Sequence, residues 1–481
     1  MLNLKIIFFI LGILISALGI AMLIPLVTNF IYQENIYIFL SSLLISSFFG
    51  FSLILAFRNN NKKITIKDTI VITVLSFPVL CFFASLPFYF DQNVVDFSEA
   101  FFEATSGLTT TGATIYSNVE VLSSGLLIWR SLIQWLGGIG IIIFAIAILP
   151  ILNIGGMQFF TVDWKEKDFD LHFRSKELAK LVGSVYLSFT LAIFLMLWVF
   201  GMPVFEAICH SLTTVATGGF STNNSSIAHY NNLYIELTII LGMVLASLPF
   251  TLYLSSFNKG LKAFKDIQVF IFLFLILAFS LAITIWNYFY NNLGFFTSFR
   301  LAFFNGVSVM TGTGYTTTDF SNWGSFCSAL LLIMMLIGGC TGSTTGGIKV
   351  FRIQILLYVL LKELKRINSP RSIFPTNYNS QIISEEIINS VVVILLFFLG
   401  GIFIISLIFF MNGYDFITSI SAAITSISVV GPGLGNIIGP DESFSNLPSN
   451  LKIILAGSMI MGRLEFIAFF VLFIPSFWKQ K

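Results

Sequence analysis

Four segments rich in threonine, serine and glycine carry the residue types that could do chemistry in this chain. They read FSEAFFEATSGLTTTGAT (97–114), VFEAICHSLTTVATGGFST (204–222), SFRLAFFNGVSVMTGTGYTTTD (298–319) and DFITSISAAITSISVVGPGLGNI (415–437). Each begins with a short, mostly apolar stretch of helical character and ends in the polar run. Threonine hydroxyls and backbone carbonyls can replace the water shell of a monovalent cation without a fixed charge that would trap it. The pattern therefore indicates a cation site built from four loops.

The four runs recur at intervals of roughly 100 residues, which predicts four pseudo-equivalent units around one axis. Aligned on one glycine and the residue before it, they match at Thr111–Gly112, Thr217–Gly218, Thr313–Gly314 and Pro432–Gly433, and these are the predicted cation ligands. The flanking candidates are Thr110, Ala113, Ala216, Gly219, Gly312, Tyr315, Gly431 and Leu434. Plain extracellular linkers are the alternative, and four occurrences that each follow an apolar short helix argue against it.

Composition shows what must hold these loops. Of the 481 residues, 56% are hydrophobic and 10% are charged, and the formal net charge is +2. A soluble protein of this size could not cover its surface with so few charges. A soluble enzyme, a disordered chain and a nucleic-acid binder are therefore excluded. The four cysteines, Cys81, Cys209, Cys327 and Cys340, are too dispersed to indicate a disulfide framework or a zinc site.

Apolar runs of about 20 residues, long enough to cross a bilayer, recur along the chain. They predict spans at 6–30, 36–57, 69–90, 121–151, 181–203, 233–257, 267–290, 323–361, 383–411 and 451–475. Lysine and arginine concentrate in alternate connecting segments, which places those segments and both termini in the cytoplasm. The four polar runs then lie on the outer side.

The predicted fold is an all-α polytopic membrane protein. It has four helix–pore loop–helix units around one pore and two additional N-terminal transmembrane helices. The predicted boundaries are 1–60 for the additional helices, then 61–160, 161–260, 261–375 and 376–481 for the four repeats.

A glycine-rich run interrupts the second span of the third repeat. Residues 338–347 read GGCTGSTTGG, and each glycine costs a helix about 1 kcal/mol relative to alanine. A broken helix within the membrane lines a cavity, so we interpret the run as a flexible polar plug beneath the four loops. Its candidate residues are Gly338, Gly339, Thr341, Gly342, Ser343, Thr344, Thr345, Gly346 and Gly347. The alternatives are a phosphate-binding loop, which lacks the GxxxxGK[ST] spacing and a preceding strand, and close helix packing through small residues.

Arg463 lies about halfway along the last predicted span, where a charge is costly and indicates function. We expect it near the pore below the loops, as an electrostatic barrier to cations in contact with the glycine-rich run. A structural cation paired with a nearby carboxylate or with carbonyl oxygens is the alternative, and Glu465 would point to another face of the helix. Arg130 and Arg300 are expected to support the loops, and His210 and His229 to line the outer vestibule.

These motifs resemble those of a known family. SGLTTTGA, TVATGGFST, TGTGYTT and GPGLG are similar to the four filter sequences of the Trk/Ktr/HKT superfamily of potassium transporters. GGCTGSTTGGIKVFR (338–352) resembles its intramembrane gating loop, and GRLEF (462–466) its last inner helix. The two additional N-terminal spans match most closely the bacterial TrkH-type membrane subunit.

The resemblance implies a homodimer in the bacterial inner membrane, with one pore in each protomer and a cytosolic ring of TrkA-type nucleotide-binding subunits. It implies K⁺ ions in the filter, no other cofactor and no nucleic-acid partner; besides the regulatory subunit, the chain would contact membrane lipid. Glycine at the central position of all four loops implies potassium selectivity, whereas Pro432 departs from the threonine of the other loops. The cytoplasmic segments at 152–180 and 362–382 would form the docking face.

The sequence therefore predicts a potassium uptake channel that is gated by a cytosolic partner. A carrier that couples potassium to sodium or protons is the alternative. Such a carrier needs a titratable carboxylate on its pathway, and Glu465 is the one convincing acid within a span. A membrane enzyme would need paired acids or a His/Asp cluster inside the bilayer, and the sequence contains no such constellation.

Overall fold

The computed structural model describes residues 2–58, 64–91, 94, 96–147, 171–260, 265–372, 374, 377–379 and 381–478. Most of the predicted docking segment at 152–180 lies outside these residues.

The described chain is almost entirely helical. The α-helices are α1 Leu4–Ala21, α2 Leu23–Ile31, α3 Tyr37–Phe57, α4 Ile66–Tyr89, α5 Phe97–Leu108, α6 Ser124–Ala147, α7 Leu171–Val199, α8 Val204–Val215, α9 Leu233–Ser247, α10 Phe250–Lys259, α11 Ile267–Tyr290, α12 Phe295–Met310, α13 Ser325–Ile337, α14 Val350–Asn368, α15 Glu385–Met411, α16 Phe416–Ser428, α17 Ser449–Arg463, α18 Ile467–Phe470 and α19 Pro475–Trp478. Short 3₁₀ helices cover Val119–Val121, Ser226–Tyr230, Phe320–Trp323, Phe444–Asn446 and Val471–Phe473. A hairpin pairs β1 (Asn377–Tyr378) antiparallel with β2 (Gln381–Ile382).

Four repeats of long helix, short helix and second long element follow the N-terminal helices. The short helices α5, α8, α12 and α16 are each held between the two flanking elements of their repeat. Asp96 and Asp415 cap α5 and α16 by accepting hydrogen bonds from the backbone N–H groups of Glu99 and Thr418, which satisfies donors that a helix start leaves free. The predicted class, an all-α polytopic membrane protein of four repeats with two additional N-terminal spanning segments, is confirmed.

The N-terminal helices attach to the first repeat through the start of α6. Asn29 Oδ1 accepts a 2.7 Å hydrogen bond from the backbone N–H of Gly125, and Glu34 accepts one of the same length from that of Ser124. These side chains satisfy two backbone N–H groups at the start of α6 that have no partner within the helix. Within this unit Gly12 of α1 lies against Gly50 of α3, so closely that a methyl group on Gly12 would lie 2.9 Å from the Gly50 carbonyl oxygen.

Among the described residues, seven helices are long and apolar enough to cross a membrane, or eight if one bent pair counts as a span. The predicted span 233–257 is that bent pair: α9 and α10 meet at 86°. Pro249, which precedes α10, has no N–H to continue the helical ladder. The predicted span is therefore two helices joined at a sharp bend and not one continuous helix.

The last predicted span, 451–475, is also not continuous. Helix α17 ends at Arg463, and Glu465 and Phe466 adopt left-handed backbone conformations with φ of 60° and 52°. The predicted break in the eighth span is present, because residues 338–349 separate α13 from α14. The element below the loops is therefore broken in repeats two, three and four.

Candidate functional site

The four polar runs leave their short helices in the same way. In each, the backbone N–H of one residue bonds to the carbonyl oxygen five residues earlier: Thr111 to Ser106, Gly218 to Thr213, Thr313 to Ser308 and Val430 to Thr425, at 2.8–2.9 Å. The residue before each of these donors is left-handed: Thr110 (φ 61°), Thr217 (φ 50°), Gly312 (φ 72°) and Val429 (φ 60°). These two features together form the Schellman helix ending, and its recurrence defines which residues of the four loops are equivalent.

This equivalence corrects the alignment made from the sequence. The glycines that follow the closing hydrogen bond are Gly112, Gly219, Gly314 and Gly431, whereas the sequence paired Gly112 and Gly314 with Gly218 and Gly433. The alignment was wrong by one residue in the second loop and by two in the fourth. The sequence alignment matched each glycine by the type of residue that precedes it. The structural position of a loop residue depends instead on how many residues separate it from the end of the short helix. Pro432 consequently follows the equivalent glycine and does not precede it.

The corrected glycines bring the four loops into cyclic contact. A methyl group built on Gly112 would lie 2.1 Å from the carbonyl oxygen of Gly218, and one on Gly219 would lie 1.8 Å from that of Thr313. A methyl group on Gly314 would lie 2.7 Å from Pro432 Cδ and 3.1 Å from the Gly431 nitrogen, and one on Gly431 would lie 3.1 Å from the Gly112 carbonyl oxygen. Backbone occupies the space that a side chain would need at Gly112 and Gly219, and the positive φ of Gly314 likewise favours glycine, whereas the contact at Gly431 is tight but less restrictive. We call these four residues the glycine ring.

The remaining predicted loop residues flank this ring. Gly433 lies away from the other loops, and a methyl group there would meet Ile438. Gly218 faces the side chain of Gln134. Leu434 donates its backbone N–H to Ser421 Oγ in the helix of its own repeat. Tyr315 is buried, and its hydroxyl contacts Thr213 of the second repeat.

A buried ion pair supports the first two loops from behind. Arg130 of α6 donates to Glu103 of α5 at 2.8 Å, to Thr114 Oγ1 at 3.1 Å and to the Ser221 carbonyl oxygen at 3.0 Å. Both charged side chains are almost fully buried. This arrangement matches the supporting position expected for Arg130. Arg300 binds Glu236 at 2.7 Å, nearer the protein surface.

Gln134 is a site residue that the sequence reasoning missed. Its side-chain amide donates to the Gly218 carbonyl oxygen at 2.6 Å and accepts from the Phe220 backbone N–H at 3.1 Å. One side chain on α6 thus positions the second loop on both sides of Gly219. The available signal was a fully buried amide in the apolar run LLIWRSLIQWLGG, since buried polar groups need partners.

The two histidines have different environments. His210 is buried, with its ring nitrogens 2.8 Å from the Glu206 carbonyl oxygen and 3.0 Å from Ser221 Oγ. Its expected place in a vestibule was therefore wrong, because α8 turns this side chain toward the second loop. His229 is exposed.

An open cavity of about 150 Å³ lies above the glycine ring, and all four loops line it. We call this side, formed by residues 113–119, 219–226 and 431–444 with Gly314 and Thr316, the loop face. Asp441 and Glu442 contribute carboxylates to the cavity. Desolvation raises the pKa of Asp441, and the charges of Asp319 and Glu442 raise it further.

The glycine-rich run lies on the opposite side of the ring. It leaves α13 at Gly338 and returns to it, because Ile348 donates its N–H to the Leu336 carbonyl oxygen at 2.9 Å and Val350 donates to Gly339 at 3.0 Å. Gly338, Gly342 and Gly347 all have positive φ. The run is a compact, largely buried loop, not a segment of helix.

Contacts join this loop to the bend in repeat two and to the ring loops. Phe250 donates its N–H to the Gly342 carbonyl oxygen at 2.9 Å, directly after the bend at Pro249. Thr217 Oγ1, in the second ring loop, donates to Thr344 Oγ1 at 3.0 Å. A methyl group on Gly346 would lie 2.0 Å from the Ser428 carbonyl oxygen at the end of α16. The loop therefore packs directly against the second and fourth ring loops.

Arg463 contacts the same loop. Its Nη1 donates to the Thr344 carbonyl oxygen at 2.8 Å, and the side chain is buried. Glu465 pairs with Arg352 at 2.5 Å, and Lys349 Nζ donates to the Thr345 carbonyl oxygen at 2.6 Å. The expected contact between Arg463 and the glycine-rich run is present.

Fold and site together define a polytopic membrane protein in which four re-entrant loops meet at a glycine ring, above a buried polar loop. The family model described as "TrkH: Cation transport protein" matches residues 36–480. The chain belongs to the TrkH family of cation transport proteins.

Individual relatives match over nearly the whole chain. The Trk system potassium uptake protein TrkI of Halomonas elongata is 39% identical over 416 residues, which cover 85% of this chain and 84% of that protein. TrkH of Escherichia coli (strain K12), also a Trk system potassium uptake protein, is 32% identical, with 98% of each chain covered. The crystal structure of the potassium transporter TrkH from Vibrio parahaemolyticus superimposes with a TM-score of 0.92 at 31% identity, covering 99% of this chain and 100% of that one. These relatives are transport proteins.

Proposed function

We propose that this protein takes up potassium by conducting dehydrated K⁺ through the glycine ring. The observation that carries the proposal is the cyclic contact of four equivalent loops, each closed by the same backbone hydrogen bond. The helices that precede the loops direct their partially negative C-terminal ends toward this ring, which favours a cation. Backbone and threonine oxygens from Thr110–Gly112, Thr217–Gly219, Gly312–Gly314 and Val429–Gly431 are the proposed ligands.

The buried loop at 338–347 is the proposed gate. It lies directly under the ring, linked to Thr217 through Thr344 and to Arg463 through the Thr344 carbonyl oxygen. Polar contacts between small side chains can be exchanged without exposing a large apolar surface, so the loop can change position at modest cost. Arg463 holds the loop in the position described and opposes K⁺ entry by its charge.

The proposed setting is the bacterial inner membrane, with both termini in the cytoplasm. The concentration of lysine and arginine in alternate connecting segments supports this orientation. The proposed assembly is a homodimer bound to a cytosolic TrkA-type nucleotide-binding ring, and the family membership supports it. A coupled symporter is the less favoured function, because Glu465, the acid beneath the glycine-rich loop, is engaged by Arg352.

Uptake of ⁸⁶Rb⁺ into sealed liposomes tests the proposal. The reconstituted protein is expected to admit Rb⁺ with no imposed sodium or proton gradient. Thr344→Ala, which removes the hydroxyl contacts to Thr217 and Ala246, is included so that a closed gate is not mistaken for absent transport. Uptake by both proteins only when a sodium or proton gradient is imposed would establish the symporter. No uptake by either under any gradient would overturn potassium transport.

A further inference from the structure

A small enclosed space lies beneath the glycine-rich loop, on the side away from the glycine ring. We call it the inner cavity and define it by Lys349, Arg352, Arg463 and Glu465, which line it together with backbone from Gly342 to Gly347. Ile141, Ile394 and Phe398 form its apolar wall. Its volume is about 30 Å³, whereas one water needs about 10–15 Å³. The space fits one small ion and is far too small for a nucleotide.

The charged groups of the inner cavity do not balance. Three cationic side chains line it, and Glu465 is the one acid among the described residues that does so. Arg352 already takes that carboxylate at 2.5 Å. Lys349 and Arg463 contact neutral carbonyl oxygens of the loop. Lys349 is 8% exposed, Arg352 2% and Arg463 4%. Bulk water therefore does not screen the excess positive charge.

Unused hydrogen-bond donors occur on two of these bases. Nε and Nη2 of Arg463 and Nε of Arg352 are buried and have no hydrogen-bond partner. Buried polar groups are normally satisfied, and an unpaired buried charge is more costly still. The N-terminal end of α14, which begins at Val350, adds partial positive charge beside Lys349. The excess positive charge, the unused hydrogen-bond donors and the small volume of the inner cavity all indicate a site for one small anion.

We propose that the inner cavity binds a single monovalent inorganic anion of halide size, held chiefly by Arg463 and Arg352. Chloride satisfies the requirements, because it accepts hydrogen bonds from every direction and needs no further space. A cation is excluded because the two arginines alone outnumber Glu465, the one acid among the described residues that line the cavity. The consequence for transport, which rests on the proposed function, is that a bound anion lowers the electrostatic barrier that K⁺ meets below the ring.

Equilibrium binding of ³⁶Cl⁻ tests this without measuring transport. Purified full-length protein in lipid nanodiscs, with potassium gluconate as the only other salt, is expected to bind about one chloride per chain. Arg463→Gln removes the guanidinium donors and is expected to weaken binding at least about tenfold. Arg366→Gln, which changes an exposed arginine at the far end of α14, is the matched control and is expected to bind like the unmodified protein.

Competition and stability separate the remaining outcomes. Bromide is expected to displace ³⁶Cl⁻, whereas sulfate and phosphate are too large to do so at the same concentration. Chloride is expected to raise the melting temperature of the unmodified protein relative to gluconate, and to raise that of Arg463→Gln less. Absence of saturable binding, or equal affinity in Arg463→Gln, would overturn the proposal. Because ³⁶Cl⁻ binding and Rb⁺ uptake into liposomes are measured in separate experiments, failure of the anion site and failure of potassium transport are distinguishable.

Discussion

The two sides of the glycine ring differ in whether their buried basic side chains are balanced by carboxylates. On the side of the ring that carries the loop face, each buried or half-buried base among the described residues has its own carboxylate: Arg130 with Glu103, Arg300 with Glu236, and Lys452 with Glu99, at 2.7–2.8 Å. The inner cavity is lined by three bases and one acid, Glu465, which pairs with Arg352. Balanced pairs hold neighbouring elements in one arrangement. A surplus of charge is stable only when something mobile, such as an ion or a loop, responds to it.

The backbone differs between the same two regions. The ring is made by close backbone contact, and a methyl group on Gly112 or Gly219 would overlap a carbonyl oxygen of the next loop. Below it, the second element of repeats two, three and four is interrupted, at Pro249, at 338–349 and at Leu464–Phe466. Broken helices leave polar backbone that side chains must satisfy, and these contacts can be exchanged. The contrast indicates a rigid ring above an adjustable lower part.

The largest effect is expected from breaking the buried pair behind the ring. Glu103→Ala leaves Arg130 buried without its carboxylate, which costs about 3–5 kcal/mol of stability. Thermal unfolding in detergent measures the loss. Glu363→Ala is the control, since it removes an exposed acid 3.9 Å from Arg366 and should stay within about 0.5 kcal/mol. Equal melting temperatures for the two variants would show that the loop face does not depend on balanced pairs.

A side chain in the ring is expected to abolish transport. Gly219→Ala places a methyl group 1.8 Å from the Thr313 carbonyl oxygen at a positive φ, so the second and third loops must separate. Stability should fall by about 1–3 kcal/mol, and ⁸⁶Rb⁺ uptake should be lost. Gly140→Ala is the matched control, because nothing lies within 4 Å of its added methyl.

The corrected alignment makes a finer distinction in the fourth loop. Gly431→Ser is expected to change the preference for K⁺ over Na⁺, because Gly431 lies against Gly112, whereas Gly433→Ser is expected to perturb mainly the packing on Ile438. Competition of Na⁺ with ⁸⁶Rb⁺ uptake compares them. A change in preference only in Gly433→Ser would restore the alignment made from the sequence.

In potassium gluconate, where no bound halide neutralises it, removal of the Arg463 charge below the ring should increase transport. Arg463→Gln deletes a positive charge close to the proposed pathway, and a unit charge about 10 Å away at an effective dielectric constant near 20 contributes about 1–2 kcal/mol. Initial ⁸⁶Rb⁺ uptake is expected to rise by up to roughly tenfold. Arg463→Lys keeps the charge and should stay near the unmodified rate. A decrease in Arg463→Gln would show that the residue supports conduction rather than opposing it.

The smallest effect concerns pH at the loop face. Desolvation, together with the charges of Asp319 and Glu442, raises the pKa of Asp441, so this carboxyl takes up a proton at a higher pH than an ordinary aspartate. Acidification on the loop face should therefore remove one negative charge from the cavity and reduce uptake modestly at low ionic strength. Asp441→Asn should begin at the reduced rate and lose this pH dependence. An identical pH profile in both proteins would exclude Asp441 as the titrating group.

Much of the fold could be predicted from the sequence because hydropathy over about 20 residues and the placement of charge are local properties. The repeat, the broken span at 338–347 and the contact of Arg463 with that run were likewise readable from composition and spacing. The bend at Pro249 had a local signal that was overlooked. The break after Arg463 had a weaker one, because Glu465 and Phe466 are not residues that normally take left-handed conformations.

Tertiary structure alone decided which residues meet. Which loop residues are equivalent depends on the hydrogen bond that closes the end of each short helix. Alignment by residue type matched Gly218 and Gly433 to the other loops, whereas the backbone places Gly219 and Gly431 at the equivalent positions. The partner of Glu465 lies 113 residues away, on a different helix. The sequence by itself determined that a membrane protein carries four neutral polar loops and few buried charges. Whether those charges are paired is a property of distances between elements, and only the folded chain sets these distances.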